Sequence, residues 1–171
     1  MSIVLVGYRG CGKSTIGHKL ADRLWWPFVD TDAMVVEKAG KSIKEIFDLH
    51  GETAFREYER EVVSEVAERA EHVIALGGGA IMREENREAI AAANHKVIYL
   101  KCDPAELVRR IQADPGTAAG RPALTAHGGG IEEVRAVLAE REPVYRSIKT
   151  AELDVTHLSP EEACVYIARL V

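Results

Sequence analysis

The 171-residue chain is poor in cysteine, and its three, Cys11, Cys102 and Cys164, are odd in number and scattered. They offer no paired metal-ligand spacing and no disulfide framework, so a reduced, cytoplasmic setting is expected. Long apolar runs are also missing: none approaches the ~18 residues that a membrane helix needs. The first seven residues, Met1 to Gly7, have neither a basic flank nor a small-residue cleavage site. No secretion signal and no membrane partner are therefore expected. Basic charge is in deficit too, with 22 Lys and Arg against 27 Asp and Glu and a formal net charge of -5. That balance argues against a nucleic-acid partner, and any anionic ligand must meet locally placed cations.

What remains suits one domain around a single core, 47% hydrophobic, without internal repeats. Apolar runs of strand length, Ile3–Val6, Pro27–Val29, Val73–Leu76, Val97–Leu100 and Leu153–Val155, alternate with amphipathic stretches of helical length. That alternation predicts an α/β fold with a parallel sheet and helical crossovers. Ile16, Leu20 and Leu24 place one apolar face on a helix after the first loop, and Trp25-Trp26 are expected to pack that helix against the sheet, with a partner surface as the alternative. Ser42-Ile43-Lys44-Glu45 has capping-box spacing, and Asp103-Pro104 and Ser159-Pro160 each put proline behind a capping residue. Phe55, Tyr58, Val62 and Val66 mark a helix over Glu52–Ala70, and Glu84–Ala93 and Ile131–Arg146 read as two more.

Between the first strand and its helix lies Gly7-Tyr8-Arg9-Gly10-Cys11-Gly12-Lys13-Ser14, the eight-residue phosphate-loop pattern in the context that its chemistry requires. Glycines let backbone N–H groups wrap phosphate oxygens, and the helix N-terminus favours the same anion. Lys13 supplies charge to the β- and γ-phosphates of a nucleotide, ATP, and Ser14 a hydroxyl to Mg²⁺. Thr15 reads as a helix cap, and Cys11 as a small residue that fits the loop.

Phe28-Val29-Asp30-Thr31-Asp32 puts two carboxylates on one side if the strand persists through them. One would hold Mg²⁺ through water and the other orient an attacking hydroxyl; a solvated turn cap is the plainer alternative. Arg56 and Glu59, three apart on a helix, read alone as a surface ion pair; a functional role needs Glu59 to hold the Arg56 fork rigid for a substrate carboxylate. Val73–Leu76 runs into Gly77-Gly78-Gly79, where bare backbone at a strand's C-terminal end serves either a tight turn or a closely approaching ligand. Arg121-Pro122 lies in a stretch of Pro, Gly, Ala and Thr suited to a lid over residues 112–130. Arg109 and Arg110 offer either a solvated basic face or a platform for a base.

Together Gly7–Thr15, Asp30-Thr31-Asp32, Gly51-Glu52-x-x-Phe55-Arg56-x-x-Glu59, Gly77–Gly79, Arg121-Pro122-x-Leu124 and Arg141-x-x-x-Tyr145 resemble the shikimate kinase family, in the nucleoside-monophosphate-kinase-like branch of phosphate-loop proteins. The resemblance spans nearly the whole chain. It implies a three-layer fold with five parallel strands in the order 2-3-1-4-5 and a substrate lobe over 33–60; a monomer is expected. The implied reaction is phosphorylation of a shikimate hydroxyl by ATP with Mg²⁺, giving 3-phosphoshikimate and ADP on the way to chorismate. Gly10, Cys11, Gly12, Lys13, Ser14, Thr15, Arg110, Arg121 and Pro160 would bind nucleotide. Asp32, Arg56, Gly78, Gly79 and Arg141 would bind shikimate, and Ser14 and Asp30 would serve the metal. Lys13, Asp32 and Arg121 would be catalytic. The chain departs from the family at Ala123, where leucine is usual. Two rivals stay open: a gluconokinase-like enzyme, and a nucleotide-binding module without catalysis.

Overall fold

Strand β1 (Ile3–Val6) is the centre of the fold in the computed structural model, which describes residues 1–114 and 130–170. With β2 (Phe28–Asp30), β3 (Val73–Ala75), β4 (Lys96–Lys101) and β5 (Ala151–Asp154) it forms an all-parallel sheet in the order β2-β3-β1-β4-β5. Both faces are covered. Alternation along β1 sends Ile3 and Leu5 into one apolar layer and Val4 and Val6 into the other, as a sheet sandwiched between helices requires.

Helices α1 (Lys13–Leu24), α5 (Pro104–Ala113) and α7 (Pro160–Ala168) fill the first layer, through Leu20, Leu107 and Ile167 among others. Helices α2 (Thr31–Ala39), α3 (Ile43–Ala67) and α4 (Glu84–Ala92) fill the second, through Val35, Val62 and Ile90. Helix α6 (Ile131–Ile148) contributes to both, with Val134 in one and Tyr145 in the other. Strand register pairs Leu5 with Ala75 and Ile98, and Asp30 with Ala75, so β1, β2 and β3 end level with one another. The segments that follow them, Gly7 onward, Thr31 onward and Leu76 onward, emerge side by side. This is the edge where open parallel sheets bind ligands.

The expected helix starts are present. Ser42 and Ser159 each close a capping box, with Glu45 and Glu162, and the Asp103 carboxylate accepts from Ala105 N ahead of α5. The helices expected behind Ser42 and from Glu52 are both present within the run Ile43–Ala67 and meet at a break at Gly51, whose φ of 80° suits glycine. Three expectations are corrected. The strand does not persist to Asp32: Asp30 ends it and caps α2, a helix absent from the sequence reading, its Oδ1 accepting from the backbone N–H groups of Asp32 and Ala33. Thr15 caps nothing, because α1 begins at Lys13 behind Gly12. Trp25 is 94% exposed at the left-handed end of α1, and only Trp26 packs against the core.

Candidate active site

The loop after β1 is a phosphate cradle in shape as well as pattern. Gly12, at φ 98°, occupies backbone space that a side chain rarely adopts and starts α1. The Lys13 ammonium folds back over the loop and donates to the carbonyls of Gly7 (2.7 Å) and Tyr8 (3.0 Å), which fix its charge above the cradle. Ser14 Oγ donates to Asp30 Oδ2 at 2.7 Å. A hydroxyl and a carboxylate thus meet beside the cradle, an all-oxygen pair that suits a magnesium ion carrying waters and phosphates as its remaining ligands.

Asp32 lies in the first turn of α2, next to Asp30 but differently occupied. Thr31 Oγ1 accepts from Gly77 N at 2.9 Å and ties the end of β2 to the glycine run. Gly77 is there for space: a Cβ on it would stand 2.5 Å from Asp32 Oδ1. Only a residue without a side chain lets that carboxylate reach the crevice.

Across the glycine run stand two arginines. Arg56 Nη1 donates to Glu59 Oε2 at 2.8 Å, and Arg56 also meets the more exposed Glu52 at 3.3 Å. Glu59 is 2% exposed, so this is no surface ion pair. Burial pushes the Glu59 carboxyl up, and the neighbouring guanidinium offsets that only in part. Burial works against the Arg56 charge too, but Glu59 and then Glu52 outweigh it and its proton is held more firmly. Arg141, on α6, completes the group. A Cβ on Gly79 would fall 3.0 Å from Arg56 Nη1 and 3.3 Å from Arg141 Nη2, so both forks face the same bare backbone. Tyr145, one turn further along α6, donates its hydroxyl to the Gly78 carbonyl and so anchors that backbone.

These groups line two adjoining cavities. The larger, about 690 Å³, runs from the cradle (Gly10 to Thr15) past Asp30 to Arg110 and Pro160. Arg110 is pinned by Glu106 (2.7 Å) and by the Val155 carbonyl (2.9 Å), which turns it into a fixed wall beside Pro160, whereas Arg109, paired with Glu106 and largely exposed, lines the cavity's rim. Hydrogen bonds from Arg109 and Arg110 hold Glu106 down, to about 2. The second cavity is lined by Arg56, Glu59, Gly78, Gly79 and Arg141, with Ile43, Phe47 and Phe55 as its apolar side. Asp32 and Arg9 line both. Arg121 lies outside the described residues.

Sequence reasoning missed Thr31, Arg9 and Glu133. Thr31 hides behind two more conspicuous carboxylates. Arg9 occupies a position that the phosphate-loop pattern leaves open, and Glu133 looks like an ordinary first-turn acid of α6. Yet Glu133 is fully buried and pairs with Arg9 at 3.6 Å. A buried acid in a helix's first turn was the available signal, and only tertiary structure shows the burial.

Comparison with known proteins gives the family and the fold. A family model described as shikimate kinase matches residues 9–171. The shikimate kinase of Rhodopirellula baltica is 44% identical over 160 residues, covering 94% of this chain and 84% of that protein. The structure of Acinetobacter baumannii shikimate kinase in complex with shikimate superposes with a TM-score of 0.91 at 31% identity, covering 99% of this chain and 91% of the other. A Sinorhizobium meliloti gluconokinase, at 20% identity, TM-score 0.65, and coverage of 99% and 92%, shares the fold alone. Sequence, sheet order and crevice lead to one assignment: the chain belongs to the shikimate kinase family.

Proposed function

We propose that the chain transfers the terminal phosphoryl group of ATP to a hydroxyl of shikimate, and that the residues of the two cavities divide this work between them. The observation that carries the reading is the pair of arginine forks facing Gly79 on one side of Asp32, with the phosphate cradle on the other. Two planar cations around one bare stretch of backbone suit a carboxylate, which a guanidinium grips in bidentate fashion. Gluconate also carries a carboxylate, but the likeness to a gluconokinase reaches the fold only. A silent nucleotide-binding module would not need Asp32 at the junction of the two cavities.

Phosphoryl transfer asks mainly for alignment and charge neutralisation. Lys13 spreads the charge of the β- and γ-phosphates, and the cradle's N–H groups hold them. Ser14 and Asp30 would hold magnesium, which when bound neutralises the phosphate charge as a Lewis acid. Arg56 and Arg141 hold the carboxylate and so turn the ring's hydroxyls toward Asp32. The phosphorus–oxygen bond to ADP breaks as the bond to the hydroxyl oxygen forms. Asp32 orients that hydroxyl and takes its proton late, because a carboxylate is a weak base toward an alcohol. Arg110 and Pro160 flank the adenine, and Arg121, outside the described residues, would supply a further cation to the phosphates. The lobe is the segment 33–60 within one kinase domain. The chain works as a monomer, since one copy supplies both cavities, and its three unpaired, buried cysteines suit the cytoplasm. Among the described residues no helix is long and apolar enough to cross a membrane.

The test is ADP release from Mg-ATP with shikimate, its carboxamide analogue or gluconate as acceptor. Release that depends on shikimate and is lost with the carboxamide supports the reading; release with gluconate alone, or none, removes it. Gly79→Ala adds a narrower check. Its backbone, at φ −105°, accepts alanine, but the new methyl intrudes between the two forks. The KM for shikimate should rise about 30-fold, a typical cost of overpacking, with the KM for ATP unchanged. Steady-state kinetics with each substrate varied in turn will show it.

A further inference from the structure

Arg9 has no part in the division of labour above, yet its placement calls for one. Besides Asp32 it alone among the described residues lines both cavities, so it stands where the γ-phosphoryl group of one must meet the hydroxyl of the other. Its backbone is packed against the glycine run, Arg9 N lying 3.5 Å from the point where a Gly78 Cβ would be. The side chain is only 11% exposed and is paired at 3.6 Å with Glu133, which is wholly buried in the first turn of α6. Tyr8, next in the loop and also buried, feels the charges of Arg9, Glu133 and Arg141 together. A buried ion pair contributes little net stability against apolar packing of the same shape. What it does supply is a guanidinium held in one orientation, in a site of low dielectric, and such a fixed cation is effective where charge develops.

On the reading that this chain phosphorylates shikimate, we propose that Arg9 is a catalytic cation of this enzyme: it stabilises the transferring phosphoryl group from the phosphate-loop side, and Glu133 is the positioning residue that aims it. The loop pattern does not demand an arginine there. Its action is electrostatic and adds no bond or proton to the balance of the reaction.

The experiment compares wild type, Arg9→Lys, Arg9→Met, Glu133→Gln and the double variant Arg9→Met/Glu133→Gln in kcat and in the KM for each substrate. Loss of a preorganised donor predicts a fall in kcat of about 100-fold for Arg9→Met. Arg9→Lys keeps the charge and the ion pair, so it should fold as wild type and retain several times the turnover of Arg9→Met. Glu133→Gln should lower kcat less than Arg9→Met does, because the guanidinium stays but loses the charge that aims it. The double variant should be no worse than Arg9→Met, because Glu133 acts only through Arg9. Lysine and methionine variants of equal kcat would overturn the proposal. So would a change confined to the KM for shikimate and absent with its carboxamide, which would place Arg9 on the carboxylate instead. If Arg9→Met does not fold, a kcat for Arg9→Lys and Glu133→Gln equal to wild type overturns it as well. Wild type assayed alongside separates the two readings: no turnover of shikimate by wild type defeats the substrate assignment, whereas normal wild-type turnover with unaffected variants defeats only the role of Arg9.

Discussion

Asp32→Asn should bind ATP as wild type does and lose about 1000-fold in kcat, within the usual range for a positioned acid–base group. Three features make the loss specific. The cap of α2 is made by the Asp30 side chain and the Asp32 backbone, which the substitution leaves in place. Asparagine matches aspartate in volume, so the tight approach to Gly77 survives. What goes is the negative charge that orients a hydroxyl proton away from the phosphorus and finally receives it. The amide also presents donors where only acceptors stood. Titration with a nucleotide should give a dissociation constant within about twofold of wild type, since Lys13 and the cradle are untouched. A kcat near normal would remove Asp32 from the mechanism and leave the junction of the two cavities without a carboxylate of known purpose.

How much of this was legible beforehand depended on whether the cause of a feature was local. Strand, glycines, Lys13 and Ser14 lie within a dozen residues, and the geometry they adopt follows from backbone freedom and one helix terminus. The capping boxes at Ser42 and Ser159 are local for the same reason. The sheet order came only from resemblance, because strand neighbours are chosen by long-range packing. Asp30 misled because an aspartate at the end of an apolar run serves a strand end and a helix cap equally well, and α2 is weakly amphipathic. Arg56 with Glu59 misled differently. Their spacing is that of an exposed pair, but the glycine run packs close to Glu59, which is buried. Trp25 reversed the usual rule: a left-handed C-cap turns it outward, and Trp26 takes the place against the core. Arg9 and Glu133 lie far apart in the chain, so no short window of sequence contains both.

The burial of Glu59 sets the second large effect. Arg56→Met should reduce kcat/KM for shikimate about 300-fold, as expected when one partner of a buried bidentate charge pair is removed. It should also destabilise the fold by about 3 kcal/mol, because Glu59 is left buried without its counter-ion. The two losses are separable. Arg56→Met/Glu59→Gln removes the orphaned charge and should recover most of the stability in a urea titration, yet none of the affinity, because the fork proposed to grip the carboxylate is still absent. Arg56→Lys should fall between: the ammonium satisfies Glu59 but makes no planar pair of hydrogen bonds to the substrate. Acidity supplies a further signature. Burial raises the Glu59 carboxyl even in the presence of Arg56, and loss of the guanidinium strengthens that shift. A folded state that holds a proton more tightly than the unfolded chain loses stability as pH rises out of the ordinary carboxylate range and through the raised value. The stability deficit of Arg56→Met should therefore be small in mild acid and grow toward neutrality, while the deficit in shikimate affinity persists across that range. A stability deficit independent of pH would mean that Glu59 is not the group left unpaired.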